Sequence, residues 1–330
     1  MMNKADKYYK ETIQEILDNG TWSKSPRTKW ADGTPAHYKQ IRQKVYNYNI
    51  SKGELPITTL RNTPLKGCFY EMEWIYIKQS NILEEAHPSI HGWWKDFVVK
   101  KEFEVKTSEI LKKHGWNTTE DFNEWTSDLS PRKMFGYPDV NYTNYLTGEE
   151  RNSIGTTYGY IVREFNLVSN LLREMENNPE SRRLNMDLWQ ENYLNMNPKP
   201  LPPCAYRTEW AIDGEFIDFT LYQRSRDLIV TYSVNPIEYV ILAWMIANHL
   251  TFKTGRKYTV RNFQHIVFNE HIYDKHITEA LEILERDSLE QPKVELVCEP
   301  KLFENHTVDD FNFEVNPEIR QRNNKLEIAV

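Results

Sequence analysis

The chain has 330 residues, 39% hydrophobic and 27% charged, enough for one large domain or two small ones with a real core. With 41 Lys and Arg against 48 Asp and Glu, its formal charge is -7. That leaves no broad basic field for a nucleic-acid duplex, so an anion must be held by a local arginine cluster, which suits a mononucleotide.

Residues 5–18 place Tyr9, Ile13, Ile16 and Leu17 at helical spacing and stop at Asn19-Gly20. This predicts a short leading helix, and the N-terminus lacks the apolar core of a signal peptide. Residues 68–77 read as a mostly apolar helix with Glu71 and Glu73 embedded in it. Residues 95–153 are polar and weakly periodic, which reads as an insertion on the main domain. Residues 209–224 carry β-prone runs on either side of Asp213-Gly214, a hairpin signal, so a sheet should lie beside Cys204. Residues 236–250 form a second, more deeply buried helix with proline in its first turn. Its apolar run, 239–247, is shorter than the ~20 residues that span a bilayer, so no membrane segment is expected. The three cysteines, Cys68, Cys204 and Cys298, are too scattered for a disulfide framework or a zinc site, which implies a reducing compartment, cytoplasmic by default, and no metal.

The chemistry concentrates in Leu201-Pro202-Pro203-Cys204, followed by Gln223-Arg224-Ser225-Arg226-Asp227 and then Asn235. A lone cysteine is ordinarily a small core hydrophobe. Two prolines before it and an Arg-Ser pair after it favour a nucleophile beside a phosphate clamp. Cys68 and Cys298 read as structural, as do His249, His265 and His276.

Several ordered motifs together resemble the thymidylate synthase and pyrimidine hydroxymethylase family, in a divergent, phage-like form. They are Pro26-Arg27-Thr28, Leu55-Pro56-Ile57-Thr58-Thr59, Tyr70-Glu71-Met72-Glu73-Trp74 with Asn81, Gly155-Thr156-Thr157-Tyr158-Gly159, Ser181-Arg182-Arg183, the Cys204 and Arg224 segments, His271-Ile272-Tyr273, and Glu327-Ile328-Ala329-Val330. The resemblance implies an α+β, thymidylate synthase-like fold: a large mixed β-sheet layered with helices and dimerising through the sheet. Residues 1–330 would form a single catalytic domain, with the insertion at about 95–153.

The resemblance also implies roles. A thiolate from Cys204 adds to carbon 6 of the uracil ring of dUMP, and carbon 5 then attacks a one-carbon unit from 5,10-methylenetetrahydrofolate. Arg224 would lower the Cys204 pKa, and Glu71, in an apolar helix, would shuttle protons. Tyr158 joins the hydrogen-bond network near the nucleophile. Asn235 reads the base, since a carboxamide can accept from N3–H of uracil while donating to O4. Arg27, Gln223, Arg224 and Ser225 serve the nucleotide, with Arg182 and Arg183 donated to the phosphate across a homodimer interface. His271 and Tyr273 bind the sugar; Asp227, Trp93 and the terminal Val330 belong to the folate.

Departures bear on the product. Synthases carry histidine where this chain has Ala205 and glycine where it has Thr231, and many carry lysine at Leu60. Those changes border substrate and folate, which favours a deoxyuridylate hydroxymethylase of the kind phages, in their host's cytoplasm, use for modified DNA. Thymidylate synthase, making dTMP and dihydrofolate, is the alternative; a catalytically idle nucleotide- or RNA-binding homologue is a further one.

Overall fold

A computed structural model describes residues 2–99, 152–195, 199–323 and 326–329. Nearly all of the 95–153 segment, and Val330, therefore lie outside the described residues. The backbone divides into two compact units, one of Met1–Met72, Asn170–Met186 and Cys204–Val330, the other of Glu73–Ser169 and Asp187–Pro203. In chain order the main helices are α1 (Lys4–Asn19), α2 (Leu65–Met72), α3 (Gly159–Glu164), α4 (Leu167–Asn177), α5 (Leu228–Thr231), α6 (Val234–Thr254) and α7 (Ile277–Glu285).

The first unit holds a mixed sheet of β1 (Thr21–Trp22), β2 (Tyr38–Asn49), β3 (Asn185–Asp187, all but its last residue), β4 (Ala205–Asp213), β5 (Phe216–Gln223), β6 (Arg226–Asp227) and β7 (Thr259–Tyr273). Its order is β1-β2-β7-β5-β4-β3, with β6 pairing β7. Strands β2 and β7 run antiparallel, β4 and β5 form the hairpin expected at Asp213-Gly214, and β5 lies parallel to β7. Gly214 supplies the left-handed turn residue with φ 62°. Aromatic rings bind the strands side to side: Trp210 stacks on Phe219 at 4.8 Å, and Phe219 on Phe263 at 4.5 Å.

Helix α1 forms where its periodicity predicts, capped by Asn3 accepting from Asp6 N at 2.8 Å and burying Tyr9, Ile13 and Ile16. It stops at Gly20 for a reason other than left-handed backbone, since φ there is -66°. A Cβ on Gly20 would lie 2.4 Å from the Ile16 carbonyl oxygen, so the close approach demands glycine. The side chain of Asp6 then accepts from Thr58 Oγ1 at 2.6 Å and Thr59 N at 2.7 Å. These bonds give the Thr58-Thr59 pair a structural role.

Helix α6 begins two residues before Pro236 and ends at left-handed Gly255. The run Leu228–Thr254 is long and apolar enough to cross a membrane by composition, with mean hydropathy 1.4, but 72% of that window is buried, as in a core helix. Each fully buried Ile, Leu or Val there contributes roughly 1.5–3 kcal/mol. Against α6 packs α2, whose Glu71 is 7% exposed. The helix expected over 68–77 is interrupted: α2 closes at Met72, and Glu73–Ile77 continues as a wider π turn.

Within the second unit, Asn81 Nδ2 donates to Gly155 O at 2.8 Å and Ser153 Oγ at 3.0 Å. Gly159, which opens α3, is obligatory, because a Cβ would sit 2.0 Å from Ser80 O. Tyr158 before it is held at φ 47°, a left-handed conformation costly for a tyrosine, and its ring meets Trp94 edge-on at 5.0 Å.

Candidate active site

Cys204 stands at the last residue before β4 and is half-buried. Arg224 follows the end of β5, and hairpin pairing draws the two together: Arg224 N donates to Cys204 O at 2.9 Å, and Arg224 Nη2 to Cys204 Sγ at 3.4 Å. The hairpin thus brings a cation to the thiol. Burial pushes the Cys204 thiol up, and the Arg224 cation offsets this in part. Arg224 thus acts on the thiol in the expected direction, against the larger effect of burial. Cys68 is fully buried, and burial pushes its thiol well above the usual value.

Asp227 begins α5, its Oδ1 accepting from Ile229 N at 3.1 Å and Val230 N at 3.2 Å. Its other oxygen lies 3.7 Å from His276 Nδ1. His271 and Tyr273 are neighbours at the end of β7, rings 5.0 Å apart and edge-on. Burial raises the Tyr273 phenol to about 12, with the negative charge of Asp227 and of a Cys204 thiolate adding to it. Burial lowers the His271 imidazole, opposed by Asp227 and Glu270.

The C-terminal residues seat in the first unit. Glu327 Oε1 accepts from Ala31 N at 2.8 Å, its Oε2 from Lys275 Nζ at 2.9 Å, and its carbonyl oxygen lies 2.9 Å from His276 Nε2. Ala329 packs against Trp30, Ala36 and Tyr273.

Asn235, in the first turn of α6, is half-exposed. Its Oδ1 accepts from Gln223 Nε2 at 3.0 Å, and its Nδ2 donates to Glu238 Oε2 at 3.1 Å. Glu238, one helical turn on, is fully buried, and burial together with the negative charge of Glu71 pushes its carboxyl well above the usual range. Sequence reasoning missed Glu238, although an acidic residue three positions after Asn235 in an otherwise apolar helix was a visible signal. His265, read as structural, lies 2.8 Å by its Nε2 from Gln223 Oε1. Arg226, in the motif but given no role, forms a buried pair with Glu270.

Arg27 is exposed in the loop after β1, and Arg182 and Arg183 are exposed in the turn after α4. Trp93 and Tyr158 belong to the second unit, where Trp93 is half-buried. Ser225 contributes its carbonyl oxygen to Gln223 Nε2 at 3.0 Å. Among the described residues no group of three or more His, Cys, Asp or Glu is placed to hold a metal ion.

Comparison with known proteins gives one consistent answer. The family model for thymidylate synthase matches residues 7–325. A thymidylate synthase of Streptococcus thermophilus is 33% identical over 321 residues, covering 96% of this chain and 93% of that protein. One of Streptococcus pyogenes is 32% identical over 302 residues, covering 89% and 88%. The solved thermostable thymidylate synthase A of Bacillus subtilis superposes with a TM-score of 0.68 at 25% identity, covering 98% of this chain and 99% of that one.

Proposed function

The chain belongs to the thymidylate synthase family of folate-dependent one-carbon transferases, and from that premise we propose that it is itself a thymidylate synthase, converting dUMP and methylenetetrahydrofolate to dTMP and dihydrofolate. The observation that carries the proposal is the half-buried Cys204 thiol 3.4 Å from Arg224, in the unit that also presents the half-exposed Asn235 carboxamide. The streptococcal relatives, matched over 93% and 88% of their length, support methyl rather than hydroxymethyl as the product.

In this reading the Cys204 sulfur pair forms a bond to carbon 6 of dUMP while the ring's carbon 5–carbon 6 pair moves toward O4. Asn235 donates to O4 and accepts from N3–H. Glu71 handles protons at the ring, and Tyr158 orders the adjacent hydrogen bonds. Loss of the carbon 5 proton expels the folate amine and leaves a methylene on carbon 5; hydride addition to that methylene then releases the Cys204 thiolate and restores the carbon 5–carbon 6 double bond. Arg224, Ser225 and Arg27 hold the phosphate, and His271 with Tyr273 the sugar hydroxyl. Asp227, Trp93 and Val330 hold the folate, which supplies the carbon and, for thymidylate, the hydride. Arg182 and Arg183, exposed here, reach the phosphate of a partner's site in a homodimer built through the sheet. The whole chain acts as a single catalytic domain, with 95–153 an insertion on it.

Ala205 and Thr231, at positions where synthases carry histidine and glycine, favour a second reading, water capture to give 5-hydroxymethyl-dUMP. Incubation with dUMP and methylenetetrahydrofolate, followed by mass identification of both products, tests the proposal. Thymidylate with dihydrofolate is expected. Hydroxymethyl-dUMP with tetrahydrofolate would overturn it in favour of the second reading, and absence of any product from dUMP would sink both.

A further inference from the structure

A buried chain of side chains runs behind Asn235, and its direction follows from hydrogen-bond chemistry. Arg226 is 2% exposed, and its guanidinium can only donate. It pairs through Nε and Nη2 with both oxygens of Glu270, while Nη1 lies 3.5 Å from His265 Nδ1. His265 Nδ1 is therefore the accepting nitrogen, and the imidazole is neutral. In agreement, burial and the Arg226 cation both push the His265 pKa well below the usual value. The ring hydrogen then sits on Nε2, 2.8 Å from Gln223, and the atom facing it must be the acceptor, Oε1.

That choice propagates. With Oε1 turned to His265, Gln223 aims both N–H groups the other way, at Ser225 O and at Asn235 Oδ1, each 3.0 Å away. Asn235 accepts there, so its Nδ2 must face Glu238, whose Oε2 accepts at 3.1 Å. Gln223 is 2% exposed, and His265, Glu270 and Glu238 are fully buried, so water cannot substitute for a lost partner. A reversed Asn235 amide would set N–H against N–H at Gln223. What remains on the half-exposed side of Asn235 is one N–H and one lone pair in fixed positions.

We propose that His265, acting through Gln223, together with Glu238, locks the orientation of the Asn235 carboxamide and so makes the site select uracil over cytosine. These are positioning residues, and the inference rests on the reading that Asn235 contacts the base. Uracil needs a donor opposite O4 and an acceptor opposite N3–H, whereas cytosine needs the reverse, which the same amide offers once it turns over. Orientation of the carboxamide, as much as its presence, then decides the base.

The test compares kcat/KM for dUMP and dCMP in the full-length protein, with equilibrium binding of both nucleotides by calorimetry as a readout independent of turnover. His265→Leu removes the donor that holds Gln223, so both amides can turn. The dUMP:dCMP ratio should fall on the order of tenfold or more, through gained dCMP use. Glu238→Ala should lower it similarly, while Glu238→Gln, which keeps an acceptor of the same shape, should restore the parent ratio. Should His265→Leu fail to fold, the two Glu238 variants carry the decision. Asn235→Ala separates the two inferences. If it abolishes discrimination while His265→Leu and Glu238→Ala keep the parent ratio, the lock is wrong and the base contact stands. If Asn235→Ala itself keeps the parent ratio, the base contact and the lock both fall.

Discussion

Replacing Arg226 by Met leaves Glu270 buried without its cation, and the structure sets the expected cost. The two side chains are 1% and 0% exposed. Arg226 Nε donates to Glu270 Oε2 at 3.0 Å and Nη1 to Tyr232 O at 3.0 Å, and the guanidinium lies 4.8 Å from the Tyr46 ring centroid and 4.9 Å from that of Tyr232. After the substitution Glu270 keeps the Tyr46 hydroxyl at 2.9 Å but faces an apolar pocket with no counter-ion. Breaking a buried pair in this way costs about 3–5 kcal/mol. For 330 residues, an unfolding entropy of about 0.7 kcal/mol/K converts that to a midpoint lower by about 4–7 °C. Scanning calorimetry and urea titration measure it. The double variant Arg226→Met with Glu270→Leu, which removes the orphaned charge as well, should recover most of the loss, because two apolar groups of similar volume often match a buried pair. A single variant that loses under about 1 kcal/mol, or a double variant no better than the single, would refute this account of Glu270 as a charge dependent on Arg226.

Three further outcomes can be checked directly. Because burial and Glu71 raise the Glu238 carboxyl in the folded state, its stabilising contribution is complete below the ordinary carboxylate pKa and is lost as pH climbs through the raised value. Glu238→Gln should therefore gain on the parent as pH rises from 5 to 8, by up to about 1.4 kcal/mol per pH unit, and a pH-independent difference in melting temperature would contradict the direction of the shift. Since burial raises the Cys204 thiol and Arg224 opposes it, iodoacetamide labelling of Cys204 should be slower at pH 8 than that of a free thiol, and slower again in Arg224→Ala; mass mapping of the modified cysteine reads this, and faster labelling in the variant would reverse the assigned role. Arg182→Ala with Arg183→Ala should raise KM for dUMP by roughly tenfold or more with the sedimentation behaviour unchanged; an unaltered KM would remove these arginines from the phosphate site.

Much of the local architecture was legible because its signals are local. The spacing of Tyr9, Ile13 and Ile16 predicts α1, and Asp213-Gly214 predicts the β4–β5 turn, each depending on neighbours within a few residues. The Cys204–Arg224 contact follows from the same hairpin, since the residues on either side of a tight turn are brought level by pairing. Other features were hidden by the locality of those rules. Gly20 marks the helix stop in the sequence, but what requires it is the Ile16 carbonyl oxygen at 2.4 Å from where its Cβ would stand. Residues 68–77 are apolar enough for one helix, and nothing in their pattern marks the change to a π turn at Glu73.

Taken alone, the amino-acid order determined the helical and strand periods, the cysteine at position 204 with an arginine across the hairpin, and the carboxamide at Asn235, because each is a property of residue type and short spacing. The relay behind Asn235 was decided only by tertiary structure. His265 and Glu270 are five positions apart on β7, an odd separation that regular alternation would send to opposite faces, yet both reach Arg226. Opposite this stretch, Gln43 on β2 adopts φ 63°, marking an irregular stretch of the ladder. Burial then turned Glu238 from a polar interruption of an apolar helix into the acceptor that completes the chain, because hydrogen-bond direction becomes binding only where water cannot stand in for a missing partner.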